Sequence, residues 1–143
     1  MQPSDVRQVY ASGTAYSLTN TSAAVDFGTT DPSLTITQPG TYLIFSRLNF
    51  KYTGATFAAS RTVTLKLSRT NNTAADVTNA SITFLTNIIT TLTYTAGVMC
   101  IPPVLYQTDN NNDVLSLFAD VSVVPTAGSI DITESEIIAI RLF

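Results

Sequence analysis

Histidine and tryptophan are absent from this sequence, cysteine occurs once, and glutamate and lysine together supply four residues. Without histidine, every Ser-His-Asp triad, Cys-His dyad and His-metal arrangement is excluded, and one thiol cannot build a Cys/His zinc site. Cys100 has no internal disulfide partner, which fits folding in a reducing cytoplasm or export by a route independent of oxidation. The six glycines are dispersed and form no phosphate-cradling loop. No segment approaches the ~18 apolar residues of a membrane span. The opening MQPSDVRQVY lacks a basic region followed by an apolar run, so nothing in the sequence is expected to export or anchor the chain. Charge is also scarce. Seven basic residues, scattered from Arg7 to Arg141, face ten acidic ones, for a net charge of −3. Nucleic acid and anionic membranes need clustered Lys and Arg, so neither nucleic-acid binding nor membrane insertion is expected.

The shortage of Glu and Lys removes the usual fillers of exposed helix faces. Val, Ile and Thr instead supply 46 of the 143 residues. Branching at Cβ restricts χ1 against a helical turn but packs well on a pleated surface, so the balance favours strands. Val63, Leu65 and Leu67 alternate with Thr64, Lys66 and Ser68, and Leu115, Leu117, Ala119, Val121 and Val123 alternate with Ser116, Asp120 and Ser122. Each run reads as a strand with one apolar face.

Turn chemistry divides the chain. Asp31-Pro32-Ser33, Gln38-Pro39-Gly40, Asn71-Asn72, Asp109 to Asp113 and Pro125 to Gly128 interrupt the apolar runs. Strands are expected near 6–12, 16–19, 23–27, 34–37, 41–52, 61–69, 77–86, 89–101, 104–107, 114–124 and 129–142. Many short strands at this spacing imply an all-β, two-sheet antiparallel sandwich of the jelly-roll kind. No repeat or linker divides residues 1–143, and a chain of this length removes roughly 68–70% of its unfolded surface from water. A single domain folding without metal or disulfide is expected.

Two strands break the alternation. In 40–48, Tyr42 and Ile44 lie on one face and Leu43 and Phe45 on the other, all large and apolar. In the last strand Ile138, Ile140 and Leu142 oppose Ile137, Ala139 and Phe143, with Arg141 interrupting. A two-sheet sandwich covers one face of each sheet, so the second apolar face needs another cover. A neighbouring copy of the chain supplies one, and loops or terminal strands of the same chain supply the alternative.

The stretch Pro39-Gly40-Thr41-Tyr42-Leu43-Ile44-Phe45-Ser46-Arg47-Leu48-Asn49-Phe50 resembles the strand after the Gly-Leu/Thr-Tyr turn of the tumour necrosis factor and complement globular-head family. Ile137-Ile138-Ala139-Ile140 resembles its closing strand, and Asn112-Asp113-Val114-Leu115-Ser116-Leu117 its Gly-Asp-x-Leu/Val-x-Leu segment, with Asn in the glycine's place. The resemblance implies a ten-stranded jelly roll forming a homotrimer, with Leu43, Phe45, Ile138 and Ile140 near the threefold axis. The family's late-strand aromatic has no clear equivalent, and Arg141 stands where a short apolar tail is common. A one-residue shift in the last strand would exchange its two faces.

Few candidates for chemistry remain. Lys66 sits on an alternating exposed face and reads as solvated. Asp131, Glu134 and Glu136 offer carboxylates for glycoside chemistry but read more simply as exposed strand-edge charges. Asp109-Asn110-Asn111-Asn112-Asp113 gathers oxygens that suit a hard cation, with Asp109 and Asp113 as carboxylate ligands. It lacks the glycine and distal glutamate of an EF-hand, and the plainer reading is a turn. Cys100, between Met99 and Ile101, reads as a small buried residue. The sequons at Asn20, Asn71 and Asn79 carry little weight in a chain so rich in Asn, Ser and Thr. No enzyme activity and no cofactor are expected.

Two function classes follow. One is a virion structural or attachment protein made in the host cytoplasm, such as a phage capsid decoration protein or the head of a fibre or spike, with other virion proteins or a host receptor or glycan as partners. The other is a secreted ligand of the tumour necrosis factor or complement-head kind, or a carbohydrate-binding module. Specificity in either case resides in loops, here 53–60, 70–76, 108–113 and 125–128.

Overall fold

A computed structural model describes residues 6–28, 32–56, 61–70, 75–86, 91–92, 95–109 and 112–143. Asp31, the Asn71-Asn72 turn with its sequon, residues 57–60 and 71–74 of two expected loops, residues 89–90 and 93–94 of an expected strand, and Asn110-Asn111 lie outside the described residues. Within them the β-rich composition has its expected result: ten strands and no helix. The strands are β1 (Val6–Ser17), β2 (Ala23–Ala24), β3 (Ser33–Ile36), β4 (Gly40–Thr56), β5 (Arg61–Arg69), β6 (Ala75–Thr86), β7 (Thr91–Leu92), β8 (Thr95–Thr108), β9 (Asp113–Val121) and β10 (Ala127–Arg141).

All pairings are antiparallel. One five-stranded sheet runs β1-β10-β4, with β4 pairing onward to β8 and the short β7. The other has β9 and β5 at its centre, β6 beyond β5, and β2 and β3 on the far side of β9. The pairs β1 with β10, β3 with β9, β4 with β8 and β5 with β6 nest inside one another and alternate between the sheets, as in a jelly roll.

Alternation sends one face of each sheet into a common core. Ile44, Leu48, Ile132 and Ile137 of the first sheet join Leu65, Leu67, Leu115 and Leu117 of the second in one buried cluster. Each such side chain contributes about 1.5–3 kcal/mol on removal from water. Phe27, beyond the end of β2, is fully buried in the same cluster without belonging to a strand.

Several expected boundaries shift. The segments expected at 6–12 and 16–19 are one strand, continued through a register irregularity between Ser12 and Tyr16. The strand expected at 23–27 ends at Ala24, although Val25 still donates its N–H to the Leu117 carbonyl at 2.9 Å. The strand expected at 114–124 stops at Val121, and the buried Arg61 guanidinium donates to the carbonyls of Val123 and Val124 in the loop beyond it.

The largest change concerns 89–101 and 104–107. Residues 95–108 form one strand that passes straight through Pro102 and Pro103. Ile44 pairs with Val104 and Ser46 with Ile101, so Phe45 alone stands opposite both prolines. A bulge is the place where a strand can hold residues that lack an N–H, because the ladder is already interrupted there.

Candidate functional site

The outer faces of the two sheets differ. On the β9/β5 sheet the outward side chains Thr62, Thr64, Lys66 and Asp120 are polar and only partly exposed, and Val114 and Phe118 stand among them partly buried. On the β1/β10/β4/β8 sheet the outward side chains at one end are apolar.

Register fixes which side chains these are. Ile140 lies opposite Leu43 and Ile138 opposite Phe45, while the intervening Ile137 and Ala139 are fully buried in the core. All four residues expected at a trimer contact therefore share one outward surface, and the closing strand presents Ile138 and Ile140 rather than its other face. Leu43, Ile138 and Ile140 are half-buried by their neighbours and Phe45 is 38% exposed. Val6 of β1 lies opposite Ile140, and Leu105 of β8 lies opposite Leu43, extending the patch to both edges of the sheet. Among the described residues no loop or terminal strand of the same chain hides Phe45, Val6 or Leu105 from solvent, and Leu105 is 65% exposed.

The next cross-strand row is Tyr10, Glu136, Arg47 and Cys100, one from each of β1, β10, β4 and β8. Arg47 Nε donates to Glu136 Oε2 at 2.7 Å, and Gln8 Nε2 donates to Glu136 Oε1 at 2.5 Å. The Arg47 hydrogen bond first, then that from Gln8, holds the Glu136 carboxyl below its ordinary value. Arg47 Nη1 also donates to Asn49 Oδ1 at 3.1 Å, and Asn49 Nδ2 to Glu134 Oε2 at 2.8 Å. Cys100 is exposed on this face, contrary to its expected burial, because Met99 and Ile101 take the two inward positions.

Between the apolar end and this polar row lies a groove of about 280 Å³, lined by Phe45, Arg47, Cys100, Pro103, Glu136 and Ile138. Pro103 belongs to the bulge in β8 opposite Phe45.

The remaining candidates lie elsewhere or are engaged otherwise. Asp131 is nearly buried and accepts hydrogen bonds from Ser17 Oγ at 2.6 Å, Thr53 Oγ1 at 2.8 Å and Ser129 Oγ at 2.9 Å. Burial pushes its pKa up, but the three hydroxyls and the nearby Lys51 outweigh that and leave it below the ordinary value. Asp131, Glu134 and Glu136 thus hold strands together. In the oxygen-rich segment, Asp109 is exposed whereas Asp113 is fully buried, its Oδ2 accepting from Tyr106 Oη at 2.6 Å and from Thr108 Oγ1. The two carboxylates differ in environment, and among the described residues no group of three or more His, Cys, Asp or Glu side chains is placed to hold a metal ion.

Sequence reasoning missed Val6, Tyr10, Cys100 and Leu105. For β8 the signal was present: Val98-Met99-Cys100-Ile101 is apolar on both faces, as 42–45 is.

No protein-family model and no curated protein matches this sequence. Among solved structures, the fold is similar to a chain in the structure of infectious bursal disease virus Gx strain, with a TM-score of 0.53 and 15% identity over 96% of this chain. The chain spans 32% of that chain's length. At this identity the likeness is one of fold alone, an antiparallel β-sandwich.

Proposed function

We propose that this protein is a non-catalytic structural component of a virus particle that assembles with copies of itself as a threefold trimer through the outer face of the β1/β10/β4/β8 sheet. The observation that carries the proposal is the convergence of Leu43, Phe45, Ile138 and Ile140 on one outward surface, beside the exposed Val6 and Leu105. Contiguous apolar patches of this kind on a compact domain mark interaction surfaces. The fold likeness to a chain of a virus structure supports the particle assignment. The family resemblance supports the number three, and decoration or host attachment through the loops completes the reading.

Light scattering or native mass spectrometry tests the assembly: a mass of three times 15.3 kDa is expected, and a stable monomer at micromolar concentration overturns it. Co-sedimentation with virus particles tests the particle assignment. Recovery of the protein only from the medium, free of particles, would favour a secreted ligand.

A further inference from the structure

The groove beside the Pro102-Pro103 bulge is open in a single chain, and its shape asks for an occupant. Phe45, Pro103 and Ile138 form apolar walls, while Arg47 and Glu136 form one polar end. Across the same face, on the opposite edge, Tyr10 stands 49% exposed. Register places Tyr10, Glu136, Arg47 and Cys100 in a single row across β1, β10, β4 and β8, so the knob and the groove lie at the same height on the two sides of the sheet.

We infer that Tyr10 of one copy inserts into the Phe45–Cys100–Pro103 groove of the next, so that the ring closes head to tail. This rests on the proposed self-assembly and specifies its geometry. Closed rings of three need a heterologous contact, in which two different surface regions meet. The groove belongs to the β4/β8 side, and Val6 and Tyr10 are the exposed large apolar residues of the β1 side. Of these, Tyr10 shares the groove's row, and its ring with a polar tip matches apolar walls that end in an ion pair. A second copy suits the charge as well. The groove end of the face carries Arg47 and Glu136, which already satisfy each other at 2.7 Å, so covering it with a neutral tyrosine strands no charge.

The single native thiol makes this testable with one substitution. Within a chain, Tyr10 and Cys100 are three strands apart, about 14 Å, too far for a disulfide, which needs Cα atoms within about 7 Å. Any bond between a cysteine at position 10 and Cys100 is therefore intermolecular. Mild oxidation of Tyr10→Cys is expected to give a covalent trimer on a non-reducing gel, and Tyr10→Cys combined with Cys100→Ser is expected to give no cross-link. Covalent species that stop at dimers, or cross-links in the double variant, show a like-to-like contact and overturn the inference. A variant that keeps three times the chain mass of 15.3 kDa yet forms no disulfide overturns the inference while leaving the proposed assembly standing. A monomeric unaltered protein removes both. Should Tyr10→Cys itself dissociate, Cys100→Trp replaces it as the test: filling the groove is expected to reduce the mass to that of one chain, and an unchanged mass overturns the inference.

Discussion

Arg47 and Glu136 face each other across β4 and β10, with Nε donating to Oε2 at 2.7 Å. The pair sits immediately beside Phe45 and Ile138, so the apolar patch is bordered by charges that are already matched. A surface built this way can be covered without leaving a lone charge in a dry contact. Introducing one should therefore be costly.

Phe45→Asp supplies that lone charge. An uncompensated charge in a desolvated contact costs on the order of 3–5 kcal/mol, enough to dissociate an assembly held together by a modest patch. The expected result in light scattering is a fall from three times 15.3 kDa to 15.3 kDa, with the far-ultraviolet strand signal retained because Phe45 lies outside the core. An unchanged mass would show that Phe45 is not at the contact.

Asp131 should make stability fall in acid. Its folded pKa is below the ordinary value, so its contribution is fully present above the unfolded pKa of about 4 and is lost as pH falls through the lower folded value. Urea midpoints measured from pH 6 to pH 2.5 should decline over that window, and the decline should be shallower in Asp131→Asn. Equal slopes would place the acid sensitivity elsewhere.

Tyr106 should respond at the other end of the scale. Burial first, then its hydrogen bond to Asp113, raises its pKa to about 12. For an acid whose folded pKa is raised, the contribution is complete below the unfolded value of about 10 and disappears as pH rises through the folded one. An ultraviolet titration should show a late-ionising phenol whose contribution Tyr106→Phe removes. The same variant leaves the buried Asp113 carboxylate short of a donor and should lower stability at neutral pH by about 1–3 kcal/mol.

Two facing glycines should differ in tolerance. Gly128 has φ +68° and Gly54 φ +56°, both in the left-handed region. An added Cβ at Gly128 would lie 2.3 Å from the carbonyl oxygens of Thr53 and Gly54, whereas at Gly54 it would meet open space. Gly54→Ala should cost about 1 kcal/mol, and Gly128→Ala about 2 kcal/mol or more, because backbone must move as well. Denaturant melts of the two variants check the order.

The sandwich was legible in the sequence because its signal is local. Alternation in 63–68 and 115–121 identifies both central strands of one sheet, and the two-faced runs at 42–45 and 137–140 mark the strands whose outer side is apolar. The four contact candidates share a surface because β4 and β10 pair in a register that alternation nearly dictates. What stayed hidden depends on pairing between distant segments. Pro102-Pro103 reads as the end of a strand until β4 is seen to skip it with Phe45 alone, and Cys100 reads as buried until that register turns it outward. The Asp109–Asp113 run reads as one cluster because composition does not show that Asp113 points into the core toward Tyr106.

Cys100 turns the proposed assembly into a chemical measurement. In a single chain its thiol is exposed, and it lines the groove between Phe45 and Pro103. If the face is covered by a neighbour, a thiol reagent reaches Cys100 only when the contact opens, so labelling follows the dissociated fraction. The unaltered protein at high concentration should then react at least about tenfold more slowly than the Phe45→Asp variant, and dilution toward the dissociation range should remove the difference. A thiol that reacts at one rate at every concentration, and equally in both proteins, would mean that the apolar face stays open to water and that no copy of the chain covers it.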